Sequence, residues 1–471
     1  MIDFLSRQAI FFSLRLLIPF AEWLRSSILK IYVVFPFKTT LDYFYLRSRT
    51  LQYLFAYQFN PAEKNDERLE LTAEHLARIA GFKLEEVVVR THDGFLLNMH
   101  HIQPRTEDSS GIDSSSSSSS SSSKAHVLVV HALMQCSDTF LLGGSTSLVA
   151  ALVNAGYDVW LGNCRGNKYS QRHERYAVND KRYWNFSIDE LAMVDLPAMV
   201  NAIRERTSPS TSSITAHQCG HSLVLVGFSQ GSAVIAAALA SMNISTHDIT
   251  AFIALAPPIK VKGMRHNFIA DLVQARSKIL LGNTSCLSST LLWREFLSPK
   301  AFSNLNVTAM RYLFGWHNNN ISPDRRVQFF QHIFSNTSTK VVNHWFQIIA
   351  HNDGILGEYK NKKKCKSKQR HLWSSSRSFW WPSWLIGGNG IHRSQSDDAG
   401  NIYDVSCINC PIAVFAGSED HLIDPMYIHN NNSSCILTHI EEGYEHLDMI
   451  WADSAHKKIF PKIVEIVNAL V

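Results

Sequence analysis

The sequence predicts an α/β protein with a mostly parallel sheet and helices on both of its faces. Short, buried strand-like runs alternate with helical patterns along most of the chain, an alternation typical of parallel sheets whose connections are helices. One of these runs passes through a glycine-flanked serine directly into a helix. Between residues 258 and 352 the strand signals stop, which predicts a helical cap inserted above the sheet edge.

The first elements of the core are a helix and a hairpin. Residues 70–81 form a helical pattern that ends at a glycine, and alternating runs at 87–91 and 96–102 flank the turn sequence His92-Asp93-Gly94. A helix is predicted at 148–155. Further strands are predicted at 126–130, 157–161, 223–226, 249–255, 412–416 and 435–439. Short cap helices are predicted at 291–297, 309–314 and 325–334.

The chain turns from strand to helix at Ser229. The apolar run 223–226 leads into Gly227-Phe228-Ser229-Gln230-Gly231, and a small-residue helical run follows. Glycines on both sides of the serine allow strand and helix to approach closely, so that the hydroxyl is lifted above the sheet edge. We therefore predict that Ser229 is a nucleophile; an ordinary glycine–serine turn is the alternative.

A nucleophilic serine needs a base and an orienting acid, and in a strand–serine–helix arrangement these follow in the order serine, acid, histidine. His446 lies after the last predicted strand and before the C-terminal helix, where the base is expected. Asp420 and Asp424 both follow the preceding strand. We favour Asp420 as the acid because it lies directly in the turn, whereas Asp424 precedes a proline and is the alternative.

An acyl-transfer site also needs two backbone N–H groups that bind the oxyanion. Gln230, the residue after the nucleophile, is predicted to supply one of them. The other is predicted to be Leu133, in the loop His131-Ala132-Leu133 that follows strand 126–130. His131 is predicted to shape this loop rather than act as a second base.

The N-terminal region is apolar in an unusual way. Residues 9–37 are interrupted by Arg15, Glu22, Arg25 and Lys30, which fall within an arc of roughly 140° on a helix. A helix with one polar stripe and a broad apolar face suits a membrane interface better than a span. We predict a membrane anchor over residues 1–60; a helical segment packed on the core is the alternative.

Two segments have biased composition. Ten consecutive serines lie within residues 106–124 and predict a flexible loop, because such a run cannot build a core. Residues 353–403 combine a basic run with clustered tryptophans. This insertion suits an anionic membrane surface, or it has no role. The predicted division is therefore 1–60 anchor, 61–257 core, 258–352 cap, 353–403 insertion and 404–471 core.

Composition narrows the class of protein. With 471 residues and a net charge of +5, the chain is long enough for a large globular domain with insertions, and its charge gives no reason to expect a nucleic-acid partner. Cys407 and Cys410 form a lone C-x-x-C, which we interpret as structural because no second pair completes a zinc site. The several N-x-S/T sequons are common in an Asn- and Ser-rich chain and do not indicate a secretory lumen.

Four longer motifs occur in order along the chain. They are G-Y-D-V-W-L-G-N-C-R-G-N at 156–167, Y-W-N-F-S-I-D-E with D-L-P-A between 183 and 198, the acid segment 417–425 and E-H-L-D-M-I-W at 445–451. With these motifs the chain resembles the acid lipase family of α/β-hydrolases, which includes lysosomal acid lipase, gastric lipase and the fungal steryl ester hydrolases. The resemblance runs from about residue 72 to the C-terminus.

The resemblance implies an α/β-hydrolase fold, ester hydrolysis through an acyl-serine and no metal or organic cofactor. The membrane-like N-terminus is more similar to the fungal branch, which implies lipid-droplet or endoplasmic-reticulum membranes. Two positions depart from the family pattern. Ala132 replaces a glycine, which would tighten the oxyanion loop if that position needed a positive φ, and Cys164 replaces a serine.

Three functions follow as expectations. The first is a membrane-bound esterase that cleaves steryl esters, the second is a triacylglycerol lipase with the same site, and the third is a lipid-binding or tethering protein with a vestigial site. Aromatic and aliphatic side chains of the cap are expected to cover the substrate. They are Leu291, Leu292, Trp293, Phe296, Phe314, Trp316, Phe329, Phe330 and Phe334.

Overall fold

The computed structural model describes residues 72–104, 125–207, 222–245, 249–263, 284–286, 294, 297–351, 354–357 and 401–471. The predicted anchor, the serine-rich loop and nearly all of the 353–403 insertion lie outside these ranges, so their predicted roles stay predictions. Within the described ranges, no helix combines the length and hydrophobicity that a membrane span requires.

The strands form one large sheet and two small pairs. They are β1 (Phe82–Arg90), β2 (Phe95–Pro104), β3 (His126–Val130), β4 (Asp158–Gly162), β5 (Arg172–His173), β6 (Leu223–Phe228), β7 (Ala251–Leu255), β8 (Ser285–Cys286), β9 (Thr337–Ser338), β10 (Leu356–Gly357), β11 (Asn401–Ile402), β12 (Ile412–Gly417) and β13 (Cys435–Glu441). The large sheet has the order β1-β2-β4-β3-β6-β7-β12-β13, with β5 against β2. β8 pairs with β9, and β10 pairs with β11.

The large sheet is mixed but mostly parallel. β4, β3, β6, β7, β12 and β13 run parallel to their neighbours in that order. β1 and β2 form an antiparallel hairpin, in which Arg90 pairs with Leu96 around the predicted turn, and β2 joins the rest of the sheet antiparallel to β4. The carboxyl ends of the parallel strands therefore meet at one edge, where the loops that carry Ser229, Asp420 and His446 emerge.

The helices lie between and beyond these strands. They are α1 (Ala73–Ile79), α2 (Asp138–Leu141), α3 (Leu148–Asn154), α4 (Ile188–Glu190), α5 (Leu196–Thr207), α6 (Gln230–Ala240), α7 (Pro299–Leu313), α8 (Pro323–His332), α9 (Thr339–His351), α10 (Tyr427–Asn431), α11 (Asp448–Trp451), α12 (Ala455–Lys458) and α13 (Phe460–Leu470). A π-helical turn, Leu191–Asp195, joins α4 to α5. We call α7, α8 and α9 the cap helices.

The core lies on both faces of the sheet. Every residue of β3 is buried, and its side chains alternate between two apolar clusters: Val127 and Val129 belong to one, and Leu128 and Val130 to the other. A strand buried on both faces is typical of a parallel sheet covered by helices. The mostly parallel sheet predicted from the sequence is confirmed.

The cap differs from its prediction in extent. α7 begins at Pro299, ten residues before the predicted start, because Ser298 accepts a hydrogen bond from Ala301 N–H as the N-cap and proline occupies the first helical turn. The cap region also contains the strands β8 and β9 and the helix α9, none of which was predicted. Most of the predicted helix 291–297 lies outside the described residues.

Candidate active site

Ser229 lies at a sharp turn between β6 and α6. Its backbone has φ 51° and ψ −118°, a conformation that a non-glycine residue adopts only when its surroundings hold it there. Its N–H donates to Leu255 O at 2.8 Å, so the neighbouring strand β7 fixes the turn. The hydroxyl is thereby held above the carboxyl edge of the sheet, at the N-terminus of α6.

The two flanking glycines are required by backbone contacts. A Cβ on Gly227 would lie 2.4 Å from Ser232 N, and a Cβ on Gly231 would lie 2.1 Å from Val130 O. Both distances are far below van der Waals contact with atoms that cannot move away. The predicted reason for the glycines, a close approach of strand and helix, is confirmed.

Ser229, His446 and Asp420 form a continuous hydrogen-bonded chain. His446 Nε2 lies 2.8 Å from Ser229 Oγ, and His446 Nδ1 lies 2.6 Å from Asp420 Oδ2. A carboxylate beside Nδ1 selects the tautomer with its proton there, which leaves Nε2 free to accept the serine proton. His446 and Asp420 are both buried, so these contacts are shielded from water.

The structure separates the two candidate acids. Asp420 Oδ1 accepts from Leu422 N–H at 3.3 Å while its other oxygen faces His446, so the turn holds the carboxylate in place. Asp424 instead accepts from Met426 N–H at 3.2 Å, which closes a local turn before α10. Asp420 is therefore the carboxylate that lies against the base.

The two residues predicted for the oxyanion hole lie in the expected elements. Gln230 is the first residue of α6, and its side-chain Oε1 accepts from Trp345 Nε1 of cap helix α9 at 2.7 Å. Leu133 is half-buried in the loop after β3. The positive φ in that loop belongs to Met134, at 59°, and not to Ala132. Ala132 does not adopt a positive φ, so the condition under which it would tighten the loop is not met.

His131 shapes the same loop. Its Nδ1 donates to Ala132 O at 2.8 Å, and its Nε2 accepts from Cys164 N–H at 3.2 Å. Complete burial lowers the pKa of His131 to about 4, although the bond to Ala132 O opposes the shift. The ring is therefore neutral with both nitrogens engaged, which agrees with a loop-shaping role.

A second group of contacts joins the oxyanion loop to the cap. Ser335 N–H donates to Met134 O at 2.7 Å, and Ser335 Oγ accepts from Lys168 N–H at 2.7 Å. Asp138, fully buried, is bonded to His332 Nδ1 at 2.9 Å and to the Lys168 ammonium. Burial alone would raise the pKa of Asp138, but these two partners hold it well below its usual range.

A third group of contacts joins the cap to the loop of His446. The Trp316 ring stacks on the imidazole, with centroids 4.7 Å apart and planes 4° from parallel. The Glu445 carboxylate accepts from the N–H groups of His317 and Asn318 at 2.6–2.8 Å. These contacts were not predicted from the sequence, in which the one available signal is that Glu445 immediately precedes the base.

The aromatic residues of the cap divide into two groups. Phe329 and Phe330 are fully buried and pack against Trp451, so they belong to the core and do not cover a substrate as expected. Phe314 stacks on Trp316 at 4.3 Å and is only half-buried. Trp316 lies against the base, and Phe314 packs on Trp316.

Several motif residues stabilise the site without belonging to it. Arg165 is buried, and its guanidinium pairs with Asp195 at 2.6 Å and with Asp93 at 2.6 Å. These bonds tie the loop after β4 to the β1–β2 turn and to the π-helical turn.

Cys407 is disulfide-bonded, whereas Cys410 is a free thiol whose pKa burial raises to about 12. The two cysteines of the C-x-x-C are therefore not bonded to each other.

The fold and this geometry define an α/β-hydrolase, and two family models agree. The model of the α/β-hydrolase fold matches residues 125–453, and that of a partial α/β-hydrolase lipase region matches residues 73–144. The chain belongs to the acid lipase-like family of α/β-hydrolases, as its motifs predicted. The prediction of a carboxylic ester hydrolase is confirmed with it.

Similar proteins are themselves named lipases. A probable lipase of Schizosaccharomyces pombe is 32% identical over 396 residues, which cover 83% of this chain and 75% of the relative. The gastric triacylglycerol lipase of Homo sapiens is 28% identical, over 82% of this chain and 88% of the relative. Among solved structures, a soluble variant of monoglyceride lipase from Saccharomyces cerevisiae covers 86% of this chain and 97% of its own, with 13% identity and a TM-score of 0.44.

Proposed function

We propose that the protein hydrolyses neutral lipid esters through an acyl-enzyme on Ser229. The observation that carries this proposal is the hydrogen-bonded chain from Ser229 through His446 to Asp420, held at the carboxyl edge of the sheet. Serine, histidine and carboxylate in this arrangement perform acyl transfer on several unrelated folds. The family to which the chain belongs supports the same chemistry.

The reaction follows from the positions of the atoms. As Ser229 Oγ attacks the ester carbonyl, His446 Nε2 takes the hydroxyl proton, and the Asp420 carboxylate stabilises the imidazolium that forms. The oxyanion is bound by the backbone N–H groups of Gln230 and Leu133. Collapse of the tetrahedral intermediate releases the alcohol, which takes its proton from His446.

Water completes the cycle. His446 Nε2 removes a proton from a water molecule as its oxygen attacks the acyl-serine. Collapse of the second tetrahedral intermediate returns that proton to Ser229 Oγ and releases the fatty acid. No step needs a metal or an organic cofactor, since the base, its partner and the oxyanion donors come from the chain.

For the substrate we propose a steryl ester, cleaved to a sterol and a fatty acid at a lipid-droplet or endoplasmic-reticulum membrane. The support is the membrane-like character of the N-terminal region, which is more similar to the anchored fungal steryl ester hydrolases than to the secreted lipases. An insoluble ester requires an enzyme that reaches the phase in which it is dissolved, and an interfacial anchor meets this need. The relatives named gastric triacylglycerol lipase favour triacylglycerol as the second candidate.

A matched ester panel tests the chemistry and the substrate together. Membranes containing the full chain are given a steryl oleate and trioleoylglycerol, which share the acyl chain, and Ser229→Ala membranes are the control. We expect release of oleate from the steryl ester that Ser229→Ala reduces to background. Faster release from trioleoylglycerol would favour the lipase alternative. Equal release by wild type and Ser229→Ala would exclude the acyl-serine mechanism.

A further inference from the structure

The base His446 is covered by a segment that does not belong to its own loop. We call residues 316–320 the strap and residues 442–448 the histidine loop. The strap lies between cap helices α7 and α8, and the histidine loop follows β13. The Trp316 ring lies parallel to the imidazole, and the Phe314 ring stacks on Trp316 with the ring centroids 4.3 Å apart.

The strap is attached to the histidine loop by charge-assisted hydrogen bonds. Glu445 is buried, and its carboxylate accepts from the His317 N–H at 2.7 and 2.8 Å and from the Asn318 N–H at 2.6 Å. His317 Nδ1 lies 3.0 Å from the same carboxylate. Asn320 Nδ2 also donates to Gly443 O and to Asp448 at 2.8 Å each. The bonds to the Glu445 carboxylate are charge-assisted and therefore stronger than bonds between neutral groups. They fix the position of Trp316 relative to His446.

The strap contains features that cost stability locally. Asn318 has a positive φ of 58°. Within the described residues, Trp316 Nε1 and both polar atoms of the Asn318 side chain are buried without a hydrogen-bond partner. Unpaired buried polar atoms and left-handed backbone are unfavourable, and they concentrate where a local geometry serves function. Here they lie directly against the base.

We infer that Trp316 is a positioning residue for the base, and that Glu445 acts through it by anchoring the strap. The inference rests on the proposed function, because it takes His446 as the general base. His446 becomes an imidazolium when it receives a proton in each tetrahedral step. An aromatic face parallel to its ring attracts this cation more than the neutral imidazole. The stacked ring also prevents the imidazole from rotating away from Ser229 Oγ.

The charged groups around His446 are compatible with this role. Asp420 faces Nδ1 from the loop after β12, and Ser229 faces Nε2. On the histidine loop, Glu445 is directed to the strap and Asp448 accepts from Glu445 N–H and Asn320. The Phe228 ring lies 5.6 Å from the imidazole at an interplanar angle of 41°, whereas the Trp316 ring lies 4.7 Å away and is 4° from parallel. Of these two aromatic rings, Trp316 is therefore the one that stacks on the face of the imidazole.

The test uses the full chain in detergent and the water-soluble ester p-nitrophenyl butyrate, which avoids binding at a lipid interface. Trp316→Leu should lower kcat by about 3- to 30-fold with little change in KM, and Trp316→Phe should recover part of the loss. Glu445→Ala should lower kcat in the same way, while Glu445→Gln keeps one acceptor and should lose less. Trp184→Phe, at a buried tryptophan whose Nε1 donates to Val178 O, is the control for lost packing.

A double-mutant cycle tests the coupling. If Glu445 acts through Trp316, the double variant should lose no more kcat than the worse single variant. Unchanged kcat in Trp316→Leu, a loss confined to KM, or additive effects in the double variant would overturn the inference. Ser229→Ala and His446→Ala are measured alongside: activity in those two variants would instead reject the proposed function. Thermal midpoints of all variants identify any that fail to fold. If Trp316→Leu fails to fold, the kcat of Trp316→Phe decides whether the inference holds.

Discussion

The carboxyl edge of the sheet and the strap both touch His446, but they are built in opposite ways. At the sheet edge, Ser229 and Asp420 leave the ends of buried strands, and two glycines set the approach of strand and helix. The strap reaches the same imidazole from the cap, and Glu445 holds it across 128 residues of sequence from His317. One region is determined by local sequence and the other by tertiary contacts.

The difference indicates which region supplies the reacting groups and which region orients them. The sheet edge supplies the reacting groups on rigid backbone, where a strand and a helix leave little freedom. The cap supplies contacts that orient those groups: Trp316 on His446, Trp345 on Gln230, and Ser335 on Met134. Variants at the sheet edge should therefore abolish folding or chemistry, whereas variants in the cap should reduce rate or stability by degrees.

The largest effect is expected at Gly231. Gly231→Ala places a Cβ 2.1 Å from Val130 O, and neither backbone can move without separating α6 from β3. We expect a loss of more than about 4 kcal/mol in the free energy of unfolding, measured by urea denaturation, or no folded protein at all. Ala240→Gly, at the other end of the same helix, should cost only about 1 kcal/mol. A well-folded Gly231→Ala protein would contradict the account of the turn.

The next largest effect separates the two acids. Asp420→Asn should lower kcat/KM by about 10²- to 10⁴-fold, because an amide no longer stabilises the imidazolium or selects its tautomer. Asp424→Asn keeps an oxygen that accepts from Met426 N–H, so a loss below about tenfold is expected. Hydrolysis of p-nitrophenyl butyrate measures both. The reverse order would transfer the acid role to Asp424.

The same division explains what the sequence could predict. Buried strands such as β3 and β12, the turn at Ser229 and the position of His446 after the last strand all depend on short segments, and the sequence placed them correctly. Helix α9 was not predicted because three of its first four residues, Thr339, Val341 and Val342, are β-branched and favour strands in isolation; tertiary packing makes them helical.

Side-chain contacts of the cap could not be predicted for a related reason. The stacking of Trp316 on His446 depends on how the connection from α7 to α8 crosses the sheet edge. No periodicity or spacing encodes that crossing. From the sequence, Phe329 and Phe330 could belong either to a lid over the substrate or to the core. Their packing against Trp451 in the structure shows that they belong to the core.

A buried carboxylate should distinguish the cap contacts from ordinary surface ones. Asp138→Asn removes the buried charge that accepts from His332 and from the exposed Lys168 ammonium, so we expect a loss of about 3 kcal/mol in the free energy of unfolding. Asp180→Asn breaks an exposed pair with Arg182 and should leave the urea midpoint nearly unchanged. Similar urea midpoints for the two variants would show that the bonds of Asp138 do not stabilise the contact of the cap with the core.

The smallest effect is a dependence of stability on pH at the oxyanion loop. Burial lowers the pKa of His131 from 6.5 to about 4 in the folded state. A depressed folded pKa gives a contribution that is complete above pH 6.5 and is lost as the pH falls towards 4, amounting to about 3 kcal/mol. His131→Asn should therefore flatten the fall in urea midpoint between pH 7 and pH 4. His421→Asn, at an exposed histidine, should keep the wild-type slope.

The central claim is that Ser229 is the nucleophile and that His446 activates it. The most direct measurement is peptide mapping by mass spectrometry after reaction of the full chain with a fluorophosphonate. We expect one phosphonyl adduct, on Ser229, formed rapidly in wild type and lost or greatly slowed in His446→Ala. An adduct on another serine, or equally fast labelling of Ser229 in His446→Ala, would contradict the account.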